Sequence, residues 1–384
     1  MYIVGRLLSL IIYAIVLVAV CYIITNSQNK KRINRVLILY IIILGIMGYF
    51  FIPHTGADLY RLLNTMKYYS NGDWSVIKNR ILETSTSGTG LYFCLVGKLN
   101  NDHLLPAISA IITFSFCFYI LKSELDDPDT KPMYIALALF AFMSRGLMMQ
   151  IISNIRTIMA LSICAACVYM EFYKNKKMIS VLPIYIMAAS LHVMGQVVFL
   201  YRIIFLMMEK ARNPIQIIFR LICAGSLCGI VLIYGQKYLS SLFEKGDSYA
   251  ISAATGNGYD YIWERILSVM SLLLLIYYLT KLFKYKKMNA CDNSNNESVL
   301  DLVRYICPLL FIDVIAFFIE FNFFQRLSWY ICILTMPLMI STFKLVNDEK
   351  EEKILKENTI AYGTLMLALA CARGDLCSLK FFEL

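Results

Sequence analysis

Charge is the scarcest ingredient of this chain. Only 16% of its 384 residues are charged, against about 25% in a soluble domain, which excludes an ordinary cytosolic enzyme. Histidine is scarce too, with three residues, and no His/Cys/Asp cluster argues for a bound metal. No Walker-type loop is present, so ATP is not the evident energy source. The one Asp-x-Asp spacing, inside Asp126-Asp127-Pro128-Asp129, falls in a short loop and reads as a solvated turn. There is no fixed-period repeat and no soluble domain, only a short polar linker at Asn289–Ser298. The 12 cysteines form no secreted disulfide framework, because nearly all lie inside apolar blocks, where Cys acts as a small hydrophobe. Cys164 and Cys167 have redox or metal-ligand spacing but sit in mid-span without a second ligand pair, and read as core.

What the chain does have is apolar sequence: 59% hydrophobic residues and a mean hydropathy of +0.64. It falls in blocks of bilayer-spanning length, about 20 residues each. They lie near 7–24, 36–52, 104–122, 132–150, 154–172, 215–235, 264–283, 300–320, 327–346 and 359–372. The stretch 178–208 is long for one span and carries Gly195 near its middle, so it reads as a hairpin of two short helices. The expected fold is all-α: a polytopic integral membrane helix bundle with about 10–12 transmembrane helices. It forms a single polytopic domain over 1–384, with outer loops at 53–103 and 236–263 and a C-terminal segment of unassigned role at 347–384. The 53–103 stretch is polar and does not look helical, with turn signals at Asn71-Gly72, Ser87-Gly88 and Gly90. Within it, Leu91–Leu99 is too short to span and reads as interfacial or re-entrant.

The net charge of +10 invites a nucleic-acid partner, but its distribution argues against one. With the N-terminus outside, 20 of the 36 basic residues fall in inner loops, among them Lys30, Lys31, Arg32, Lys174, Lys176, Lys177, Lys284 and Lys344. The outer loops are longer and hold fewer, which is the positive-inside pattern. The alternation works only if 178–208 is a hairpin.

On this topology the outer face gathers polar residues from five separate regions. Asp58 and Arg61 follow the second span, and at i and i+3 they share a face if a local helix forms. Arg145 and Arg156 flank Ser153-Asn154, His192 sits at the hairpin tip, and Arg326 stands just before a late span. His54 and His103 read as solvated loop residues. An arginine near a helix end can snorkel at little cost. Isolated in an apolar context, it also suits a phosphate or a carboxylate, because its planar fork makes paired, charge-assisted bonds. His192 titrates near neutrality when unperturbed and so can move a proton.

These residues resemble the EpsG-like branch of the Wzy-type bacterial polysaccharide polymerases. The resemblance runs from about residue 40 to 346. It is carried by Asp58-x-x-Arg61, then Gly90-Leu91-Tyr92, then Asn154-Ile155-Arg156-Thr157 opening a helix, then Ser190-Leu191-His192, and late in the chain Gln325-Arg326-Leu327-Ser328-Trp329-Tyr330. It implies a bundle similar to the GT-C glycosyltransferases in the bacterial cytoplasmic membrane, with an active site facing outward. It implies joining of undecaprenyl-pyrophosphate-linked repeat units into surface polysaccharide (O-antigen, capsule or exopolysaccharide). Arg156 and Arg326, with Arg61 or Arg145, would hold the pyrophosphates. His192 or Asp58 would deprotonate the acceptor hydroxyl. No cofactor or metal is required, and a chain-length regulator and a flippase of the same pathway are the expected partners.

An O-antigen ligase would use the same arginine chemistry with another acceptor. A lipid-linked sugar flippase or transporter would place charges along a cavity reaching both faces, whereas the isolated intramembrane charges here cluster outward. A membrane acyltransferase could use His192, but on an acyl donor from the cytoplasm. The topology is directly checkable. Cysteines replacing Asn71 or Asn257 should react with impermeant reagents in intact cells whose outer membrane, if any, has been permeabilised. Cysteines replacing Lys176 or Asn293 should react only after lysis. The reverse labelling would overturn every placement above.

Overall fold

Helices begin and end where the apolar blocks and caps dictate. In a computed structural model of the chain, the structure describes residues 2–51, 58–82, 84, 86–145, 154–209, 258–288, 295–319 and 321–373. Among them it forms fourteen α-helices and no sheet. In chain order they are α1 (Tyr2–Thr25), α2 (Lys30–Tyr49), α3 (Asp58–Ser70), α4 (Trp74–Leu82), α5 (Ser87–Gly97), α6 (Leu104–Glu124) and α7 (Pro132–Met143). Then follow α8 (Ile155–Phe172), α9 (Met178–Leu191), α10 (Val193–Glu209), α11 (Gly258–Met288), α12 (Asn295–Ile319), α13 (Phe321–Leu345) and α14 (Glu349–Arg373). Five, namely α2, α6, α8, α13 and the Arg265–Tyr285 part of α11, are long and apolar enough to cross a membrane, and shorter apolar helices accompany them. The chain is a polytopic helical membrane protein. The expected span at 215–235 and most of the 236–263 loop lie outside the described residues.

Burial separates core helices from lipid-facing ones. In α8 and α13, 89% and 83% of the apolar window is buried inside the bundle, against 39% in α2. α8 packs on α6, α9, α10, α12 and α13, and α13 packs also on α6, α7 and α11. α2 shows the other regime. Asn29 caps it by accepting from the Lys31 and Arg32 amides at 2.9 and 3.3 Å. Ile33, Leu37, Tyr40, Leu44 and Met47 then form one buried stripe, while Ile38, Leu39, Ile42 and Ile46 remain exposed, the pattern of a helix with one face to lipid. Gly45 and Gly48 let α2 approach α6 closely; a Cβ on Gly48 would stand 2.9 Å from the Pro106 carbonyl oxygen. Small residues serve this purpose in membrane interfaces, where dispersion contacts replace the hydrophobic effect.

The hairpin expected at 178–208 is present: α9 and α10 meet at His192, whose φ of −158° and ψ of 148° break the helix. The loops expected on one side of the membrane also meet at one end of the bundle. Lys30 donates to the Asp126 carbonyl at 3.4 Å and Lys174 to that of Ser123 at 3.0 Å. Lys344 pairs with Glu124 at 2.8 Å and Asp127 at 2.9 Å, and Lys281 and Lys284 clamp Glu351 at 2.8 and 2.7 Å. Hydrogen bonds from these lysines and Tyr285 hold the Glu351 carboxyl down to about 2. Its contribution is thus complete at neutral pH and is lost only as pH falls from 4.5 toward that value. Asp127 is therefore an ion-pair partner in a turn, not merely a solvated residue.

Three further expectations need correction. The 53–103 stretch is not irregular; it folds into α3, α4 and α5. These helices are short, and α3 carries a 3.6-period stripe of Leu59, Leu62, Met66 and Tyr69 that its polar residues conceal in a hydropathy average. His103 is not a free loop residue: its Nδ1 bonds the Tyr49 carbonyl at 2.8 Å. His54 lies outside the described residues. Nor do the buried charges all gather at one end. Glu171 of α8 and Arg202 of α10 form a buried pair at 2.8 Å. Tyr185 of α9 donates to the other Glu171 oxygen at 2.6 Å, and Arg202 lies over the Phe172 and Phe205 rings. This network ties the hairpin to α8. Replacing one partner strands the other charge, at a cost of about 3–5 kcal/mol. Arg202→Met should markedly lower the melting temperature of the purified protein, and Arg202→Met with Glu171→Gln should recover most of it. Equal melting of wild type and Arg202→Met would show that the pair does not hold the hairpin.

Candidate functional site

At the end of the bundle opposite the lysines, four of the six expected site side chains converge. Asp58 opens α3, and the helix that forms there puts Arg61 in contact with it at 2.8 Å, on an exposed surface. Arg156 is the second residue of α8 and half-buried. The charges of Asp58, Arg61 and Arg326, and the Tyr69 phenol, all lie within electrostatic reach of it. Thus α3, α8 and α13, far apart in sequence, deliver three guanidinium groups and one carboxylate to one place.

The neighbouring motifs hold this arrangement. Thr157, next to Arg156, bonds His192 Nε2 at 3.1 Å. Thr89 of α5 donates to the Leu191 carbonyl, and Gly88 lies so close to Ser190 that a Cβ there would collide with it. Tyr92 OH bonds Ser109 Oγ of α6 at 2.6 Å. The Gly90-Leu91-Tyr92 segment, the Ser190-Leu191-His192 tip and the Asn154-to-Thr157 start of α8 are therefore one contact unit. Neither Asn154 nor Thr86 caps its helix through its side chain. Arg156 stands in the first turn of α8, at the positive end of that helix.

His192 stands beside this cluster, bonded to Thr157. The Met194 amide donates to its Nδ1 at 3.1 Å, so Nδ1 is the acceptor and Nε2 carries the hydrogen of the neutral ring. His192 then donates to Thr157 and positions the start of α8.

Arg145 goes elsewhere. It is wholly buried, donates to Ser268 Oγ at 3.0 Å and the Ser328 carbonyl at 3.4 Å, and lies 4.5 Å over Trp329. Ser328 in turn donates to Asp313 at 2.8 Å. Arg145 and Asp313 so brace the turn of α13 that follows Arg326. Asp313 was missed by sequence reasoning, although a lone carboxylate in the apolar run Leu309–Phe318 is the kind of intramembrane charge that signals a role. Tyr69 and Thr157 carried no signal of their own. Cys164 and Cys167 are fully buried and unbridged. Among the described residues, no group of three or more His, Cys, Asp or Glu is placed to hold a metal.

The model of the EpsG family matches residues 54–375, which takes in every segment just described. The chain belongs to the EpsG family. No curated protein and no solved structure matches it. Membership in the EpsG family brings a polysaccharide-polymerase-like role, of glycosyltransferase type, and in this EpsG chain the family segments and the arginine cluster coincide. The tautomer yields a test. Gln can offer an amide N–H where Nε2 stands, whereas Ala cannot. His192→Gln should retain clearly more polysaccharide than His192→Ala at equal protein level. Equal loss from both would show that an N–H at this position is not what the site requires.

Proposed function

We propose that this protein joins oligosaccharide repeat units carried on undecaprenyl pyrophosphate into a surface polysaccharide, at the outer face of the bacterial cytoplasmic membrane. The observation that carries the reading is the convergence of Arg61, Arg156 and Arg326 beside Asp58. Among the described residues three arginines stand against one carboxylate, an excess of positive charge that a pyrophosphate would neutralise. The positive-inside pattern supports a cytoplasmic lysine-rich end and an outward-facing site.

In the proposed reaction, an acceptor sugar hydroxyl attacks the donor's anomeric carbon. The new glycosidic bond forms as the bond to the pyrophosphate oxygen breaks, and the electron pair leaves with the phosphate. The leaving group is already anionic, so positioning and charge stabilisation are the main demands. Arg156 and Arg326 take the leaving pyrophosphate, with Arg61 at the exposed rim. The hydroxyl proton goes to Asp58, whose carboxylate has acceptor capacity beyond its one contact with Arg61. Arg145 braces α13 and does not touch the lipid.

Deleting the gene should abolish the long-chain glycan ladder and leave single repeat units on the carrier and surface. Long chains retained on the carrier but lost from the surface would make the protein a ligase. In a complemented deletion strain, Arg156→Lys and Arg326→Lys should each lose about 10- to 150-fold in rate, since a charge-assisted contact contributes about 1.5–3 kcal/mol. Arg156→Ala should be worse. Near-normal polymer from both Lys variants would mean that the arginines only anchor helix ends at the interface.

A further inference from the structure

A second feature stands at the same end of the bundle, at the far end of α3. There a cavity of about 620 Å³ opens between the last turn of α3 and the α5–α6 connection, within the about 300–1,000 Å³ of small-molecule sites. Its wall includes Lys67, Asn71, Asn100, Asp102 and His103, with Met66 as an apolar floor.

The chemistry of that wall is not anionic selection. Its one lysine is already paired with Asp102 at 2.7 Å, so the remaining groups are mostly neutral amides. Amides offer donors and acceptors side by side, which matches the hydroxyls of a sugar rather than a phosphate. The wall is also built, not frayed. Asn101 donates to Tyr49 OH at 3.1 Å and accepts from the His103 amide at 3.0 Å. Asn100 holds the left-handed φ of 52° that turns the connection. His103 Nδ1 faces the Tyr49 carbonyl oxygen at 2.8 Å, so Nδ1 carries the hydrogen and Nε2 is the acceptor nitrogen of the ring.

α3 links this cavity to the arginines. It has 13 residues and is about 20 Å long, with Asp58 and Arg61 at one end and Lys67 and Asn71 at the other. Tyr69, near the cavity end, is within electrostatic reach of Arg156. We propose that the cavity between α3 and the α5–α6 connection is a glycan subsite, which binds the uncharged sugars of a lipid-linked repeat unit whose pyrophosphate sits at Arg156. This inference rests on the polymerase reading for its ligand, but not for its test.

The test uses the full-length protein in lipid nanodiscs and two probes. One is the free oligosaccharide released by mild acid from the lipid-linked material of the deletion strain. The other is bare undecaprenyl pyrophosphate. Asn71→Trp fills the cavity from an exposed position. His103→Asn keeps a donor for the Tyr49 carbonyl but removes Nε2. Each should weaken oligosaccharide binding by about 10-fold and leave the bare lipid unchanged, whereas Arg156→Ala should do the opposite. Wild-type binding of the oligosaccharide by both variants, or none by the wild type, overturns the proposal. If the wild type binds the oligosaccharide through this cavity but not the bare lipid, the subsite stands and the pyrophosphate reading falls.

Discussion

Three arginines do not gather without opposition. Two unit charges about 8 Å apart repel by about 2 kcal/mol at an effective dielectric near 20, and among the described residues Arg61, Arg156 and Arg326 have Asp58 beside them as a countercharge. The scaffold must therefore impose their proximity, and the arrangement is most favourable when an anion joins it. Much of the remaining architecture can be understood as meeting that constraint.

Arg156 rides on α8, the most buried of the candidate spanning helices, so packing fixes the helix that carries it. The start of α8 is held by the Thr157–His192 bond, and His192 is held by a hairpin whose two helices are tied to α8 through Glu171, Tyr185 and Arg202. Arg326 rides on α13, braced two residues further on by Arg145 and Asp313 through Ser328. Only Asp58 and Arg61 are exposed, and they stand on the amphipathic α3 at the rim. The site thus combines two half-buried cations with one more exposed ion pair.

The sequence was most legible where a single physical rule dominated. Block length and hydropathy locate the spanning helices, and charge alternation together with Gly195 marks the α9–α10 hairpin. It was least legible where the deciding fact is tertiary. Arg145 and Arg326 look alike in sequence, but one is sealed under Trp329 and the other faces the cluster. The tautomer of His192 depends on the Met194 amide, and nothing in Ser190-Leu191-His192 announces it. The segment 53–103 misled because short amphipathic helices average to a polar value. Glu171 and Arg202 escaped notice because each lies in an apolar run, 31 residues from its partner.

The central claim is that the arginine cluster recognises a diphosphate. It is tested most directly by the affinity of the purified protein in nanodiscs for undecaprenyl pyrophosphate against undecaprenyl monophosphate, in the wild type and in the Arg156→Lys/Arg326→Lys double variant. The account predicts that the wild type binds the pyrophosphate at least about 10-fold more tightly, since the second phosphate adds charge-assisted contacts, and that the double variant loses most of this preference. Equal affinity of the wild-type protein for the two lipids would contradict it.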